Sequence, residues 1–146
     1  MFDLGSIKLS EVNAEEFSPA VWAYIGDAVY ELFIRYYLLS GGPAKTKFLH
    51  REATHRVRAS FQAELSKQME SYLTESELTV LKRGRNIKSG HIPNNTDVIT
   101  YRHSTAFEAL IGYLYLTNQQ KRLMELLDKV LSLTGAEKRN LPNMQD

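Results

Sequence analysis

The 146-residue chain contains no cysteine, only four prolines and no long apolar run. The absence of cysteine excludes disulfides, thiolate catalysis and cysteine-ligated zinc, and it fits a reducing compartment. The N-terminal residues mix acidic and polar side chains, so we expect no signal peptide. No segment approaches the roughly 18 apolar residues of a membrane span. These absences predict a soluble, cytoplasmic protein without a membrane association.

The length allows one compact domain with a substantial core and is too short for two ordinary ones. We therefore expect a single domain over residues 1–146, with its core at about 18–133 and a frayed tail at about 134–146.

The charges are unevenly distributed although the totals nearly balance. Residues 1–44 carry two basic and six acidic side chains, whereas residues 45–91 carry ten basic and five acidic ones. This asymmetry predicts a face that binds a polyanion, and an unevenly charged solvated surface is the alternative interpretation.

Apolar residues recur with helical spacing almost throughout, and no alternating run of β-branched residues predicts a strand. The predicted fold class is therefore all-α. A functional loop is expected at 84–96, where glycine, proline and asparagine cluster. Helices are predicted over 18–40, over 46–69 as one or two segments, over 74–84 after a capping box, over 97–116 and over 119–133.

Two acids lie in otherwise apolar helices. Asp27 lies within WAYIGDAVYELF, residues 22–33, and Glu108 lies within STAFEALIGYLYL, residues 104–116, one turn before Gly112. Carboxylates in such surroundings need a cationic partner. If the two helices pack through their glycine-bearing faces, both carboxylates reach one cavity, and Mg²⁺ or Mn²⁺ would offset their repulsion.

A structural role is the alternative for each acid, and spacing alone does not decide between the two interpretations. Asp27 could cap a helix break at Gly26, and Glu108 could pair with Arg35 or Arg102.

Three segments resemble motifs of the ribonuclease III family. AYIGDAVYE, residues 23–31, is similar to the signature Glu-Phe-Leu-Gly-Asp-Ala/Ser-Val-Leu, and TAFEALIGYLYL, residues 105–116, is similar to the second motif, Asp-x-x-Glu-Ala-Leu-Ile-Gly-x-x-Tyr-Leu. RGRNIKSG, residues 83–90, resembles the glycine-containing segment between them. The chain resembles the short members of the family, which lack the double-stranded-RNA-binding domain.

The resemblance implies the helical fold of the ribonuclease III endonuclease domain and a metal-dependent endoribonuclease that cleaves double-stranded RNA. Asp27 and Glu108 match two catalytic metal ligands of the family, with Mg²⁺ as the expected metal and Mn²⁺ as a substitute. Ala23 and Thr105 replace two further family acids. The Thr105 hydroxyl can still contact the metal through a water, but the number of metal ions is not fixed by the sequence.

Basic side chains are expected to bind the RNA phosphates, because A-form RNA offers little sequence information in its deep major groove. A first group consists of Lys82, Arg83, Arg85 and Lys88, and a second group consists of Arg51, Arg56 and Arg58. For the first group, a polar loop at the end of a helix is the alternative interpretation.

The resemblance also implies a homodimer whose signature helices pack across a two-fold axis. The apolar character of residues 21–37 independently favours a buried interface. Trp22, Phe33 and Tyr36 are the predicted interface anchors, and membership of the monomer core is the alternative.

Three further side chains near the motifs receive structural predictions. His103 could serve as a general base, but a helix or phosphate contact is favoured because a metal would already activate the water. Asp97 is expected to cap a helix, and Glu31 is expected to make a dimer or surface contact.

For the short members of the family, the implied substrate is the precursor of the large-subunit (23S) ribosomal RNA, with a ribosomal protein as a further partner. The alternative function is a catalytically inactive double-stranded-RNA-binding module of the same fold, which the replacements at Ala23 and Thr105 keep open. A helical protein-interaction domain would leave the two acids and the basic segment unexplained.

Overall fold

The computed structural model describes residues 4, 7, 9, 13–87, 92, 94 and 97–134. This part of the chain forms α-helices and short 3-10 turns and contains no β-strand, which confirms the predicted fold class. None of its helices is long and apolar enough to cross a membrane. The helices are α1 (Pro19–Leu39), α2 (Thr46–Val57), α3 (Ala59–Met69), α4 (Glu75–Arg85), α5 (Val98–Leu116) and α6 (Gln120–Leu133).

Side-chain caps fix where three of these helices begin. Ser18 caps α1 through its hydroxyl, and Asp97 caps α5 by accepting the Thr100 amide hydrogen at 2.8 Å, as predicted for Asp97. At the start of α4, Thr74 and Glu77 bond each other's backbone amides reciprocally at 2.9 and 3.2 Å, so the predicted capping box is present. Each cap satisfies backbone donors that a helix leaves unpaired.

Helix α5 lies at the centre of the fold, because α1, α3 and α4 all pack against it and α6 adds a smaller contact. The side chains between these helices form one buried apolar cluster. Leu65 and Met69 on α3 belong to this cluster and are buried. The burial of α5 on several sides explains why its sequence is apolar almost all round.

The backbones of α1 and α5 approach each other closely at two glycines. A Cβ atom added to Gly26 would overlap the carbonyl oxygen of Glu108, and one added to Gly112 would overlap the carbonyl oxygen of Trp22. The two glycines also face each other, because the added Cβ of Gly26 would lie 2.8 Å from the Gly112 nitrogen. The predicted packing through glycine-bearing faces is therefore present, and only glycine fits at either position.

The expected loop at 84–96 begins later than the sequence predicted. Gly84 lies inside α4, which continues to Arg85, and it is buried against α5. A Cβ atom on Gly84 would approach Cβ of Ala109 to 2.7 Å and Cα of Ala106 to 2.9 Å. The glycine therefore serves a close helix contact rather than a turn. The later part of the predicted loop, at 88–91, 93, 95 and 96, lies outside the described residues.

Trp22 belongs to the monomer core, which corrects its assignment as an interface anchor. The side chain is only 1% exposed within the single chain, and its indole N–H donates to the Ala14 carbonyl at 3.0 Å. Tyr113 packs edge-on against the ring, with the ring centroids 5.0 Å apart. A tryptophan buried in this way has no surface left for a partner subunit.

We predict that Gly26→Ala and Gly112→Ala each destabilise the protein by about 3 kcal/mol or more, because a methyl group there forces two helix backbones apart. Alanine normally stabilises a helix relative to glycine by about 1 kcal/mol, so the helix propensity acts in the opposite direction. Urea unfolding followed by circular dichroism measures the difference. A stability equal to or above that of the wild type would contradict the close backbone contact.

Candidate active site

A cavity of about 630 Å³ opens between α1, α4 and the start of α5. Both acids singled out in the sequence line it, Asp27 from α1 and Glu108 from α5. Ala23 and Thr105, which stand where the family motifs have acids, line the same cavity. The sequence-predicted catalytic residues thus come together in one place.

The glycine contact between the helices explains why the two carboxyl groups converge. Gly26 immediately precedes Asp27, and its Cα faces the backbone of Glu108 itself. The two acids therefore project from the point where α1 and α5 are closest. Neither structural alternative for these acids is observed: α1 is continuous through Gly26, and Arg35 bonds Glu31 at 2.6 Å. Arg102 lines the cavity and forms no ion pair with Glu108 among the described residues.

Both carboxyl groups are held in surroundings that disfavour their charged forms. The pKa of Glu108 is raised to about 8, chiefly by burial and then by the neighbouring charge of Asp27, while the amide of Gln62 opposes part of the shift. Asp27 lies on the exposed side of the cavity, and its pKa is raised by partial burial and by the charge of Glu31. The pair lacks a compensating cation from a side chain of the described residues.

The replaced family acids leave small or neutral groups in the cavity. Ala23 is buried and contributes only a methyl group. Thr105 donates its hydroxyl hydrogen to the Tyr101 carbonyl at 2.9 Å, so its oxygen keeps lone pairs that can accept a hydrogen bond. The described residues contain no group of three or more metal-ligating side chains. Any cation in this cavity would have only two protein carboxylates.

The first basic group lies on a helix instead of a loop. Lys82, Arg83 and Arg85 occupy the last turn of α4, next to the cavity wall formed by Gly84, whereas Lys88 lies outside the described residues. Lys82 is exposed and Arg85 is partly exposed. The guanidinium of Arg83 lies over the Trp22 ring, 4.8 Å from its centroid, so this arginine also covers the core.

The second basic group lies on α2 and at its junction with α3. Arg51 is exposed, with its guanidinium 5.6 Å from the centroid of the Phe48 ring, and Arg58 is exposed between the two helices. Arg56 is partly buried over the Tyr37 ring, and its Nε atom has no hydrogen-bond partner among the described residues. Arg51 and Arg58 are therefore more accessible to a polyanion than Arg56.

His103 does not line the cavity, although its neighbours Arg102 and Ser104 do. It lies near Lys67 and Arg85, and its pKa is lowered by burial and by these two cations, against the charge of Glu70. This position gives no support to a general-base role. Glu31 makes the surface ion pair with Arg35, in agreement with a surface contact.

Gln62 is a residue of the site that the sequence predictions missed. It lies on α3, fully buried, and its amide lies close enough to Glu108 to lower the pKa of that carboxyl group. The available signal was a polar side chain between Phe61 and Leu65 on the inward stripe of an amphipathic helix. A contact between residues so distant in the chain could not be read from that pattern.

Two of the three predicted interface anchors keep accessible surface. Tyr36 is 76% exposed, and Phe33 is partly buried against the core. Tyr36 belongs to an exposed apolar row on α1, whose successive members are three, four or eight residues apart. The row consists of Val21, Tyr24, Leu32, Tyr36 and Leu39.

The family model of the ribonuclease III domain matches residues 20–119 of the chain. A Mini-ribonuclease 3 of Desulfitobacterium hafniense (strain Y51) is 46% identical over 84% of this chain and 78% of its own length. A Mini-ribonuclease 3 of Enterococcus faecalis (strain ATCC 700802 / V583) is 50% identical over 77% of this chain and 87% of its own length.

A crystal structure of a Fusobacterium nucleatum protein matches the fold with a TM-score of 0.71 at 30% identity. The match covers 82% of this chain and 96% of that protein. The matched domain includes α1, α4 and α5, the helices that build the cavity. The chain belongs to the ribonuclease III family, within its Mini-ribonuclease 3 group, and is an endoribonuclease.

Proposed function

We propose that this endoribonuclease cleaves double-stranded RNA with the help of a divalent cation, Mg²⁺ or in its place Mn²⁺, held by Asp27 and Glu108. One observation carries the proposal: two carboxyl groups converge in one cavity without a cationic side chain of the described residues between them. Like charges held this close cost free energy that a bound cation offsets.

The donor set fits a hard divalent cation. Both ligands are carboxylates, and Mg²⁺ commonly binds one or two protein carboxylates together with waters and phosphate oxygens of the substrate. Thr105 adds a neutral oxygen to the same cavity. Because Ala23 and Thr105 supply no charge, this chain offers fewer anionic ligands than the family motifs, and the RNA phosphate would complete the site.

The bound cation would activate the attacking water and neutralise charge on the scissile phosphate. Asp27 and Glu108 would hold the cation in place, because they lie on two helices whose backbones are in contact. No nucleophilic side chain is required, because water attacks the phosphorus directly and one phosphorus–oxygen bond of the RNA backbone breaks.

Basic side chains beside the cavity support binding of the RNA backbone. Lys82 and Arg85 lie in the last turn of α4, the helix that contributes Gly84 to the cavity wall, and Arg51 and Arg58 form a second exposed group on α2 and at its junction with α3. Contacts of this kind recognise phosphate and the shape of the A-form helix instead of base sequence. Lys88 extends the first group in the sequence.

The exposed apolar row on α1 supports a homodimer. Isolated apolar side chains are normal on protein surfaces, but five large ones along one face of a helix indicate a partner surface. Tyr36 takes the role of anchor in this interface, with Phe33 at its edge. Since Tyr24 belongs to the row and also lines the cavity, the partner subunit would border the active site. Two such sites face the two strands of one duplex.

The proposed biological substrate is a stem in the precursor of 23S ribosomal RNA, with a ribosomal protein as a further partner, in the cytoplasm. The support is the membership of the Mini-ribonuclease 3 group together with the exposed basic residues of α4. The alternative is an inactive double-stranded-RNA-binding module, which the neutral residues at Ala23 and Thr105 favour. Retention of both converging acids favours the enzyme.

We expect Asp27→Asn and Glu108→Gln each to lower cleavage of a long RNA duplex by more than about 100-fold. Even the outer partners of a metal site typically contribute about 10- to 100-fold, and direct ligands should exceed that range. Both variants should stay folded, because each replacement removes one of two repelling charges. Cleavage is measured with Mg²⁺ and with a chelator.

Asp128→Asn is the matched control, because Asp128 is an exposed acid on α6, which contributes no residue to the cavity. Normal cleavage by either site variant would contradict the assignment. Metal-independent cleavage by the wild type would contradict the proposed cation, and duplex binding without any cleavage would select the inactive module.

In the absence of divalent cations, stability should fall as the pH rises towards about 8. Folding raises the pKa of Glu108 from 4.5 to about 8. The contribution of protonated Glu108 to the free energy of unfolding is therefore fully present below pH 4.5 and is lost as the pH rises through about 8. Thermal unfolding with a chelator between about pH 5 and about pH 9 measures this trend. In Glu108→Gln, this part of the pH dependence should be absent. Added Mn²⁺ should raise the stability most at the alkaline end, because it binds the ionised carboxylates.

Replacing Lys82 and Arg85 together by alanine should weaken duplex binding equally on RNAs of different sequence. If each contacts one phosphate, the double variant lowers the magnitude of the log–log salt slope by roughly 2. Arg83 is left in place because it covers Trp22. Lys121→Ala, an exposed cation on α6, is the control. An unaltered slope in the double variant would move the contact surface to Arg51 and its neighbours on α2.

A further inference from the structure

Arg102 is the one cationic side chain among the described residues that line the active-site cavity. The other charged side chains along the same wall are those of Asp27 and Glu108. Arg102 is exposed, and no hydrogen bond or ion pair joins it to another described residue. Its guanidinium group is therefore available to a ligand that enters the cavity.

Arg102 lies in the first half of α5, on the cavity wall that also contains Thr105 and Glu108. The three residues are three positions apart, so each lies about one helical turn beyond the one before it. From Arg102 to Glu108 the helix axis rises by about 9 Å, at about 1.5 Å per residue. The wall formed by α5 thus has its acid towards one end and its basic residue towards the other.

Arg102 is not the partner that offsets the repulsion between the two acids. An arginine in contact with a carboxyl group lowers the pKa of that group. The pKa values of Asp27 and Glu108 are both raised instead. The guanidinium group and the two carboxyl groups therefore share one cavity without neutralising each other.

A role in stabilising the fold does not account for Arg102 either. Arg83 covers the ring of Trp22, and Arg122 binds the buried Glu77 carboxylate at 2.7 Å, but Arg102 has no comparable contact among the described residues. Its place near the N-terminus of α5 also gives no benefit from the helix dipole, which favours cations at the opposite end. The contacts within the protein therefore leave this cation unexplained.

We propose that Arg102 binds a phosphate of the RNA strand inside the cavity, next to the phosphate that is cleaved. This inference rests on the proposed cleavage of double-stranded RNA. The cleaved phosphate would lie beside Asp27 and Glu108, and the axial distance along α5 exceeds the size of one phosphodiester group, so Arg102 would meet a neighbouring phosphate. A planar guanidinium can bind two phosphate oxygens at once and so fixes the orientation of the strand relative to the acids.

The first test is Arg102→Gln, which keeps a long polar side chain and removes the charge. At saturating duplex we expect kcat to fall about 10- to 100-fold, because a strand held in the wrong orientation reacts slowly. In chelator, the magnitude of the log–log salt slope of duplex binding should fall by roughly 1. The thermal unfolding temperature and the Mn²⁺ dissociation constant, measured by electron paramagnetic resonance without RNA, should stay at wild-type values.

Two comparison variants show whether the charge and its position matter. Arg102→Lys keeps the charge, so it should recover the salt slope and give a larger kcat than Arg102→Gln. Lys121→Ala removes an exposed cation on α6, away from the cavity, and should leave kcat and the slope unchanged. If Arg102→Lys keeps the reduced slope of Arg102→Gln, the charge contacts no phosphate and the proposal is wrong.

The contacted phosphate is located with a short duplex that has a single mapped cleavage position. Phosphates of the cleaved strand beside that position are replaced, one at a time, by the neutral methylphosphonate. At one of them the replacement should lower the kcat of the wild type as much as Arg102→Gln does, and the two changes together should cost no more than either alone. Additive losses at every position would overturn the contact.

The same measurements separate this proposal from the one on which it rests. If the wild type does not cleave duplex RNA, the proposed function fails. If the wild type cleaves and Arg102→Gln has the same kcat and salt slope, the proposed function stands and the role of Arg102 is wrong. If Arg102→Gln loses Mn²⁺ affinity together with activity, its effect passes through the metal site, which also contradicts the phosphate contact.

Discussion

The backbone contact between α1 and α5 at Gly26 and Gly112 is the constraint on which the remainder of the structure depends. It places α5 deep enough for α3 and α4 to cover its other sides. Gly84 allows a similar close contact between α4 and α5. Because Gly26 precedes Asp27 and faces the backbone of Glu108, the same contact sets the separation of the two carboxylates. The geometry of the site is thus a property of main-chain packing more than of side-chain rotamers.

The contacts that hold the fold together are favourable, whereas the arrangement of the two acids in the cavity is unfavourable. The helices are held by a continuous apolar cluster and by side-chain caps, whereas the cavity brings together two acids whose charged forms are disfavoured by burial and by each other. Functional sites commonly retain such locally unfavourable arrangements, which the surrounding fold tolerates. In this enzyme the rigid crossing of α1 and α5 keeps the acids from moving apart to relieve their repulsion.

Most helices and the pairing of Asp27 with Glu108 could be predicted, because their signals are local or carried by motifs. The Ser18 cap, the capping box at Thr74 and the two glycines each act within a few residues of the sequence. Three features escaped prediction because they depend on contacts between distant segments. Gly84 looked like a loop residue but serves helix packing, Trp22 looked like an interface anchor but fills the core, and the contact of Gln62 with Glu108 spans two helices.

Helix α1 performs several tasks within 21 residues. One side fills the core through residues such as Tyr30 and Ile34, a second carries the exposed apolar row, and between them stand a glycine that touches another backbone and an acid of the active site. Substitutions at its buried positions or at Gly26 therefore disturb folding, and a substitution at Asp27 changes the cavity. Helix α2 carries fewer overlapping demands: only Ala53 is fully buried, Leu49 and Val57 pack partly buried against the core, and its arginines lie towards the surface. Amino-acid replacements that accumulate in evolution should accordingly be more frequent on α2 than on α1.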